Sequence, residues 1–136
     1  MRRSTLFTLC FTLAASGCAT PITDIVVSPA ATRSSAAQHP RSRAESRALE
    51  ICADVARRHG LEGSGGHYAR KPPLGSYGGP TMDIIDRPPP SLISIRVAKP
   101  LGSEGGDRLA LDLAQSLMRE FGAASVRSRD DTWLDF

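Results

Sequence analysis

The sequence is poor in aromatic residues and in cysteine, and it contains no asparagine. Phe, Trp and Tyr make up 5% of its 136 residues, and there are three cysteines. No run of five basic residues occurs, which argues against nucleic acid as a partner. The motifs G-x-S-x-G, S-x-x-K, H-E-x-x-H and C-x-x-C, which mark common hydrolases, metallopeptidases and dithiol enzymes, are also missing. We therefore expect no catalytic residue, no cofactor and no bound metal.

The N-terminus has the pattern of a secretory signal peptide. Met1–Arg3 is basic, and residues 6–15 form an uncharged, mostly apolar stretch that is followed by small residues. A helix of that length reaches about 15 Å, which is half of the roughly 30 Å hydrocarbon core of a bilayer. Residues 1–17 are therefore predicted to be a cleaved signal rather than a permanent transmembrane helix.

The residues around Cys18 resemble the lipobox of bacterial lipoproteins. The segment 15–17, Ala-Ser-Gly, occupies the positions of the small residues that precede the lipid-modified cysteine of that family. The resemblance implies that Cys18 receives a diacylglyceryl group, that residues 1–17 are removed, and that the new amino group is acylated, for example with palmitate. Ala19 stands where an aspartate would retain a lipoprotein in the inner membrane, which implies the periplasmic face of the outer membrane. The resemblance covers residues 1–19 and implies no activity.

Processing at Cys18 changes the charge and the thiol content of the chain. The loss of Arg2 and Arg3 removes two positive charges and lowers the net charge from +3 to +1. Cys10 is removed with the signal and Cys18 carries lipid, so Cys52 is left as a lone thiol. No internal disulfide is then possible, and the domain has to be stabilised by its hydrophobic core.

Residues 18–40 are rich in Ala, Ser, Thr and Pro, which is typical of a flexible tether between the lipid and a domain. A tether of this composition would hold a single domain, residues 41–136, away from the membrane. The segment Ile22–Val27 supports a second interpretation, because its β-branched residues favour an edge strand. The sequence leaves these two alternatives open.

Two amphipathic helices are predicted. Ser42 and Glu45 form a capping box at the start of the first helix, and Gly60 suits the left-handed position after its end. Residues at helical spacing make its apolar face: Ala44, Ala48, Ile51, Cys52, Val55 and Ala56. The second helix spans Asp107–Phe121 and ends at Gly122.

Alternating apolar and polar residues predict short strands. These are Thr81–Asp86, Ser91–Val97, Ala124–Ser128 and Thr132–Phe136, the last two around a turn at Asp130–Asp131. In the second of them the β-branched residues share one face, and Ser94 and Arg96 share the other. The expected fold is α+β, with two amphipathic helices on one face of a small antiparallel sheet. If Ile22–Val27 is a strand, the order becomes β-α-β-β-α-β, which is similar to a ferredoxin-like arrangement.

The segment 62–80 is predicted to be a long loop or a glycine-interrupted strand, because glycine and proline are frequent in it. It also carries His67, Tyr68, Arg70 and Tyr77. Aromatic and arginine side chains contribute most at protein interfaces. We predict that these four residues form a partner-binding site.

These observations favour a lipid-anchored binding or assembly module of the cell envelope that acts without catalysis, with an envelope protein or the cell wall as its partner. The alternative is a metal- or thiol-dependent envelope enzyme that uses Cys52, His59 and His67. Cys52 and His59 lie seven residues apart and would share one helix face, while His67 would approach from the loop. The apolar surroundings of Cys52 favour the first interpretation, in which its thiol is a small core group.

The lipobox pattern predicts that Cys18→Ala abolishes incorporation of fatty acid into the protein. The thiol is the acceptor of the diacylglyceryl group, and stable anchoring needs more than one acyl chain. Labelling of cells with a fatty-acid analogue measures this directly. Cys52→Ala serves as the control and should be labelled like the unaltered protein. Equal labelling of Cys18→Ala would contradict the prediction.

Overall fold

A computed structural model of the chain describes residues 19–28, 39–71, 78–85, 92–100 and 105–134. The elements of this part are the strands β1 (Ala19–Val27), β2 (Glu62–Ser64), β3 (His67–Ala69), β4 (Thr81–Ile85), β5 (Ile93–Ala98) and β6 (Val126–Leu134), the helices α1 (His39–Arg58) and α2 (Gly106–Phe121), and a short 3-10 turn at Ala123–Ser125. The predicted signal, Cys18 and Tyr77 lie outside the described residues.

The strands form one antiparallel sheet, in the order β2-β3-β4-β5-β1-β6 within the described residues. Its inner face packs against α1 and α2, so the predicted α+β fold is confirmed. Apart from the β2–β3 hairpin, the elements follow the order β-α-β-β-α-β that the sequence raised as one alternative. The first strand of that order lies between β5 and β6 rather than at an edge.

Strand β1 decides between the tether and the strand that the sequence left open. It pairs with six residues of β5 and nine of β6. Ile22, Ile25 and Val27 are buried. Residues 19–27 are therefore part of the sheet rather than of a tether that precedes a domain at residue 41. Composition misled the prediction because strand pairing depends on segments distant in sequence.

The hydrophobic core lies between the inner face of the sheet and the two helices. Ile25, Ile95 and Met82 have no exposed surface, and neither have Leu113 and Cys52 from the helices. Strand β5 places its β-branched residues toward the helices, as their alternation predicted. The buried stripe of α2 also follows the predicted helical spacing.

Helix α1 ends where the sequence predicts, but it begins earlier than predicted. Gly60, at φ +70°, follows the helix, and Leu61 N–H donates to the Ala56 carbonyl at 2.8 Å, as expected for a left-handed C-terminal cap. The N-terminus lies at His39, so Ser42 is inside the helix rather than its cap. Pro40 is tolerated in this first turn, where the backbone N–H groups have no intrahelical acceptor.

Two segments form strands where the sequence predicted interruptions. Of the two alternatives for the segment 62–80, a loop or a glycine-interrupted strand, residues 62–69 take the second: they form a hairpin whose two-residue turn is Gly65 and Gly66, both at positive φ. Asp130 and Asp131 continue β6 instead of forming a turn. Lys99 Nζ lies 3.3 Å from the Asp130 carboxylate, which helps to keep this part of the strand in the sheet.

The central position of β1 predicts that Ile25→Ala lowers the free energy of unfolding by about 2–5 kcal/mol, the usual cost of such a cavity in a packed core. Equilibrium unfolding in urea measures the change. Leu111→Ala removes the same number of carbon atoms from a side chain that is 59% exposed, and it should change stability by less than about 0.5 kcal/mol. Equal effects of the two substitutions would show that β1 is not part of the core.

Candidate functional site

The outer face of the sheet, opposite the helices, carries a row of charged and ionisable side chains. The register aligns His67 with Asp83, Asp83 with Arg96, Arg96 with Asp24, and Asp24 with Arg129. Residues that pair across antiparallel strands project to the same face. These five residues therefore cross β3, β4, β5, β1 and β6 in one line, which we call the charged row.

The centre of the charged row is a two-point ion pair. Arg96 donates from Nε to Asp24 Oδ1 at 2.9 Å and from Nη2 to Oδ2 at 3.1 Å. The side chains are only 25% and 18% exposed. The hydrogen bonds to Asp24 raise the pKa of Arg96, and the charges of Asp83 and Asp131 act in the same direction. Such fork-like pairs fix both position and orientation, so the centre of the row is rigid.

The two ends of the charged row are more exposed. At one end His67 Nδ1 is hydrogen-bonded to Asp83 Oδ1, and the two side chains are partly open to solvent. At the other end Arg129 is 82% exposed and lies 3.7 Å from Asp131. The row therefore combines an ordered centre with accessible ends of alternating charge.

Ser94 lies beside Arg96 on the same strand and on the same face of the sheet. It is aligned with Val26 and Ile85 and has no exposed surface. Its Oγ has no hydrogen-bond partner in the described part of the chain. An unpaired buried hydroxyl costs about 1–3 kcal/mol. The outer face therefore has a buried, unpaired hydroxyl next to the charged row.

A second polar cluster joins the sheet to the start of α2. Lys99 Nζ lies 3.0 Å from Asp107 and 3.3 Å from Asp130, which also accepts a hydrogen bond from Thr23 at 2.5 Å. Burial lowers the pKa of Lys99, but its bonds to the two carboxylates outweigh burial and raise it. The bond from Thr23, followed by Lys99, lowers the pKa of Asp130. The arrangement ties β1, β5, β6 and α2 together at one end of the domain.

The three described residues of the predicted partner-binding site, His67, Tyr68 and Arg70, do not form one patch. His67 belongs to the charged row, whereas Tyr68 faces the helices and packs against the core. Arg70 donates from Nη2 to the carbonyl of His59 at 2.9 Å. Neighbouring residues of a strand point to opposite faces, so the hairpin separates side chains that a loop would have grouped. Tyr77 is outside the described residues.

The enzyme alternative requires Cys52, His59 and His67 to approach one another. Cys52 is buried on the helix side of the sheet, and His67 projects from the outer side. His59 Nε2 lies 3.0 Å from Asp112 Oδ2 at the end of α1. Among the described residues, no three His, Cys, Asp or Glu side chains are grouped so that they could hold a metal ion. The geometry does not assemble this site.

The sequence analysis missed four members of the charged row: Asp24, Asp83, Arg96 and Arg129. Arg96 was placed on the polar face of its strand, but its partner Asp24 lies 72 residues earlier in a segment that also suited a tether. Polar residues at alternate positions of β-prone segments were the available signal. The register that aligns these residues depends on pairing between distant segments, so it cannot be read from the neighbouring sequence.

Comparison of the chain with protein-family models, with curated proteins and with solved structures finds no match. In the described part of the chain, neither helix is long and apolar enough to cross a membrane. The functional argument therefore depends on the chain's own residues.

The burial of Cys52 predicts an inert thiol. Cys10→Ala and Cys18→Ala together leave it as the one thiol of the chain. Its side chain has no exposed surface, and burial raises its pKa to about 12. Thiolate is the reactive form, so we expect an aromatic disulfide reagent to modify Cys52 only after the protein unfolds. Rapid modification of the folded protein would contradict this and would support thiol chemistry.

The raised pKa of Cys52 also predicts how the stability of the protein depends on pH. The unfolded thiol, with a pKa near 9.0, releases its proton before the folded one does. This contribution to stability is therefore complete below about pH 9 and is lost as the pH rises toward about 12. Cys52→Ala removes it, so the stability difference between the two proteins should shrink in alkaline solution. A constant difference would show that the thiol is not desolvated.

Proposed function

We propose that this chain is a lipid-anchored protein of the cell envelope whose domain is a binding or assembly module without catalytic activity. Lipid on Cys18 would hold it at the periplasmic face of the outer membrane. Its partner is an envelope protein that binds the charged row on the outer face of the sheet. The observation that carries this proposal is the charged row itself, from His67 to Arg129.

The two faces of the sheet support different roles. The inner face is apolar and is covered by α1 and α2, so it is committed to folding. The outer face carries side chains of alternating charge, and these side chains do not contribute to the hydrophobic core. A sheet face that serves only as a solvated surface gains little from a half-buried ion pair such as Arg96–Asp24, because desolvation offsets the attraction. A fixed pattern of charges instead favours one partner and one orientation.

Order within the charged row also favours binding. The Arg96 guanidinium is held at two points by Asp24 before any partner arrives. Groups that are already oriented lose less conformational entropy on binding. The exposed ends at His67 and Arg129 remain available for contact. An envelope protein with complementary charges would meet a rigid centre and two accessible ends.

The decisive experiment places a photo-crosslinking amino acid at position 129 in the full chain and exposes cells to light. Position 129 lies on the outer face of the sheet, and position 119 on α2 is the matched exposed position on the opposite layer. Mass spectrometry identifies the adducts. We expect one defined envelope protein to be crosslinked from position 129 and not from position 119.

Charge reversal then tests the role of the arginines. With the partner so identified, Arg127→Glu combined with Arg129→Glu should weaken its binding about tenfold, or about 1.4 kcal/mol, since like charges now face each other. Arg43→Glu combined with Arg119→Glu makes the same charge change on the helices, away from the row, and should leave affinity within about twofold. Equal weakening by both pairs would indicate a general charge effect and would contradict binding at the row.

A further inference from the structure

The chain leaves no tether between the predicted lipid site and the sheet. Strand β1 begins at Ala19, the residue bonded directly to Cys18. Ala19 is paired with Leu134, and Thr20 with Trp133. Consecutive Cα atoms lie about 3.8 Å apart, so the lipid would be attached to the residue directly before a paired strand. The geometry of the attachment is then set by the fold.

One end of the domain surrounds this attachment point. Strand directions bring together the start of β1, the end of β5, the end of β6, the start of α2 and the end of α1. We call this the anchor end. Lys99 fastens it, since its N–H donates to the Pro21 carbonyl at 2.8 Å and its Nζ reaches Asp107 and Asp130. These bonds connect β1, β5, β6 and α2 at the anchor end.

We propose that the anchor end lies directly on the surface of the membrane that holds the lipid. This inference rests on the proposed lipidation of Cys18. A strand rises about 3.3 Å per residue, so the backbone of Thr20 and its paired residue Trp133 would be within about 7 Å of the lipidated residue. That depth is the headgroup region of a bilayer, where tryptophan is favoured.

The charges at the anchor end are compatible with a lipid surface. Arg57, Arg70, Lys71 and Arg108 are exposed there. Several carboxylates of the same end lie in ion pairs, among them Asp54 with Arg57, Glu62 with Lys71, and Asp107 with Lys99. Exposed basic side chains near a bilayer are attracted to anionic headgroups. The ion pairs reduce the repulsion that these acids would otherwise cause.

If the anchor end lies on the membrane, the distance between the charged row and the membrane surface is also fixed. Asp24 is six residues after Cys18 along β1, which corresponds to at most about 20 Å. The partner-binding surface would then face sideways, close above the headgroups. A tethered domain would instead present the row in any direction.

The test uses Trp133, because it is the one tryptophan of the chain. The full-length protein is expressed so that it is processed, purified with its lipid, and reconstituted in vesicles of phosphatidylethanolamine and phosphatidylglycerol that carry brominated acyl chains. Mass spectrometry of the N-terminal peptide first establishes whether Cys18 is lipidated. If the anchor end lies on the bilayer, we expect the brominated lipids to reduce Trp133 emission about twofold, because the backbone of Trp133 is paired with Thr20, two residues after Cys18.

A matched pair of insertions separates docking from simple tethering. A ten-residue Gly-Ser segment between Cys18 and Ala19 gives the domain a reach of roughly 17 Å and should remove most of the quenching. The same segment between Gly65 and Gly66, in the hairpin turn that points away from the anchor end, should leave the quenching unchanged. Circular dichroism establishes that both variants are folded.

The outcomes distinguish the two proposals. If Cys18 carries no lipid, the proposed anchoring fails and this inference fails with it. If Cys18 is lipidated but Trp133 is quenched equally with and without the insertion after Cys18, anchoring stands and docking of the anchor end is wrong. Quenching that is lost only with that insertion supports docking.

Discussion

Pairing of strand β1 on both of its sides is the interaction on which the rest of the structure depends. Strand β5 lies along one side of β1 and strand β6 along the other. Without β1 the sheet would be divided, and β6 would have no partner among the described strands. Ile25 and Val27 also supply buried side chains to the core under the helices. The nine residues of β1 thus contribute both backbone hydrogen bonds to the sheet and apolar side chains to the core.

The alternation of β1 connects the core to the proposed function. Ile25 faces the helices, and its neighbour Asp24 faces outward and holds Arg96. The strand that stabilises the fold therefore also positions the centre of the charged row. Its first residue follows Cys18 directly, so a lipid there would be attached to the same strand. A partner bound to the row and a membrane below the anchor end would both be oriented by β1.

Local patterns predicted the parts of this structure that depend on local interactions. Helical spacing identified the buried stripe of α2, and Gly60 marked the end of α1. Alternation placed Ser94 and Arg96 on one face of β5, although not the complete burial of Ser94, which depends on its surroundings. Each of these signals lies within a few residues of the feature that it predicts.

The remaining features depend on pairing between distant segments. Asp24 and Arg96 are 72 residues apart, and Thr23 and Asp130 are 107 residues apart. The bonds of Asp130 to Thr23 and Lys99 explain why a strand continues where two aspartates suggested a turn. His67 and Tyr68 were grouped by sequence, but they are neighbouring residues of β3 and therefore point to opposite faces of the sheet. Composition alone could not place residues 19–27 in the sheet.

Amide hydrogen exchange of β1 is the most direct test of this account. The amides of Ile25 and Val27 should exchange as slowly as those of Ile95 in β5, because both strands open only when the whole domain unfolds. The short edge hairpin at residues 62–69 should exchange faster. If Ile25 and Val27 exchange as fast as the hairpin while Ile95 remains protected, β1 is not a central strand. The arguments for the charged row and for the anchor end, which both depend on the pairing of β1, would then fail.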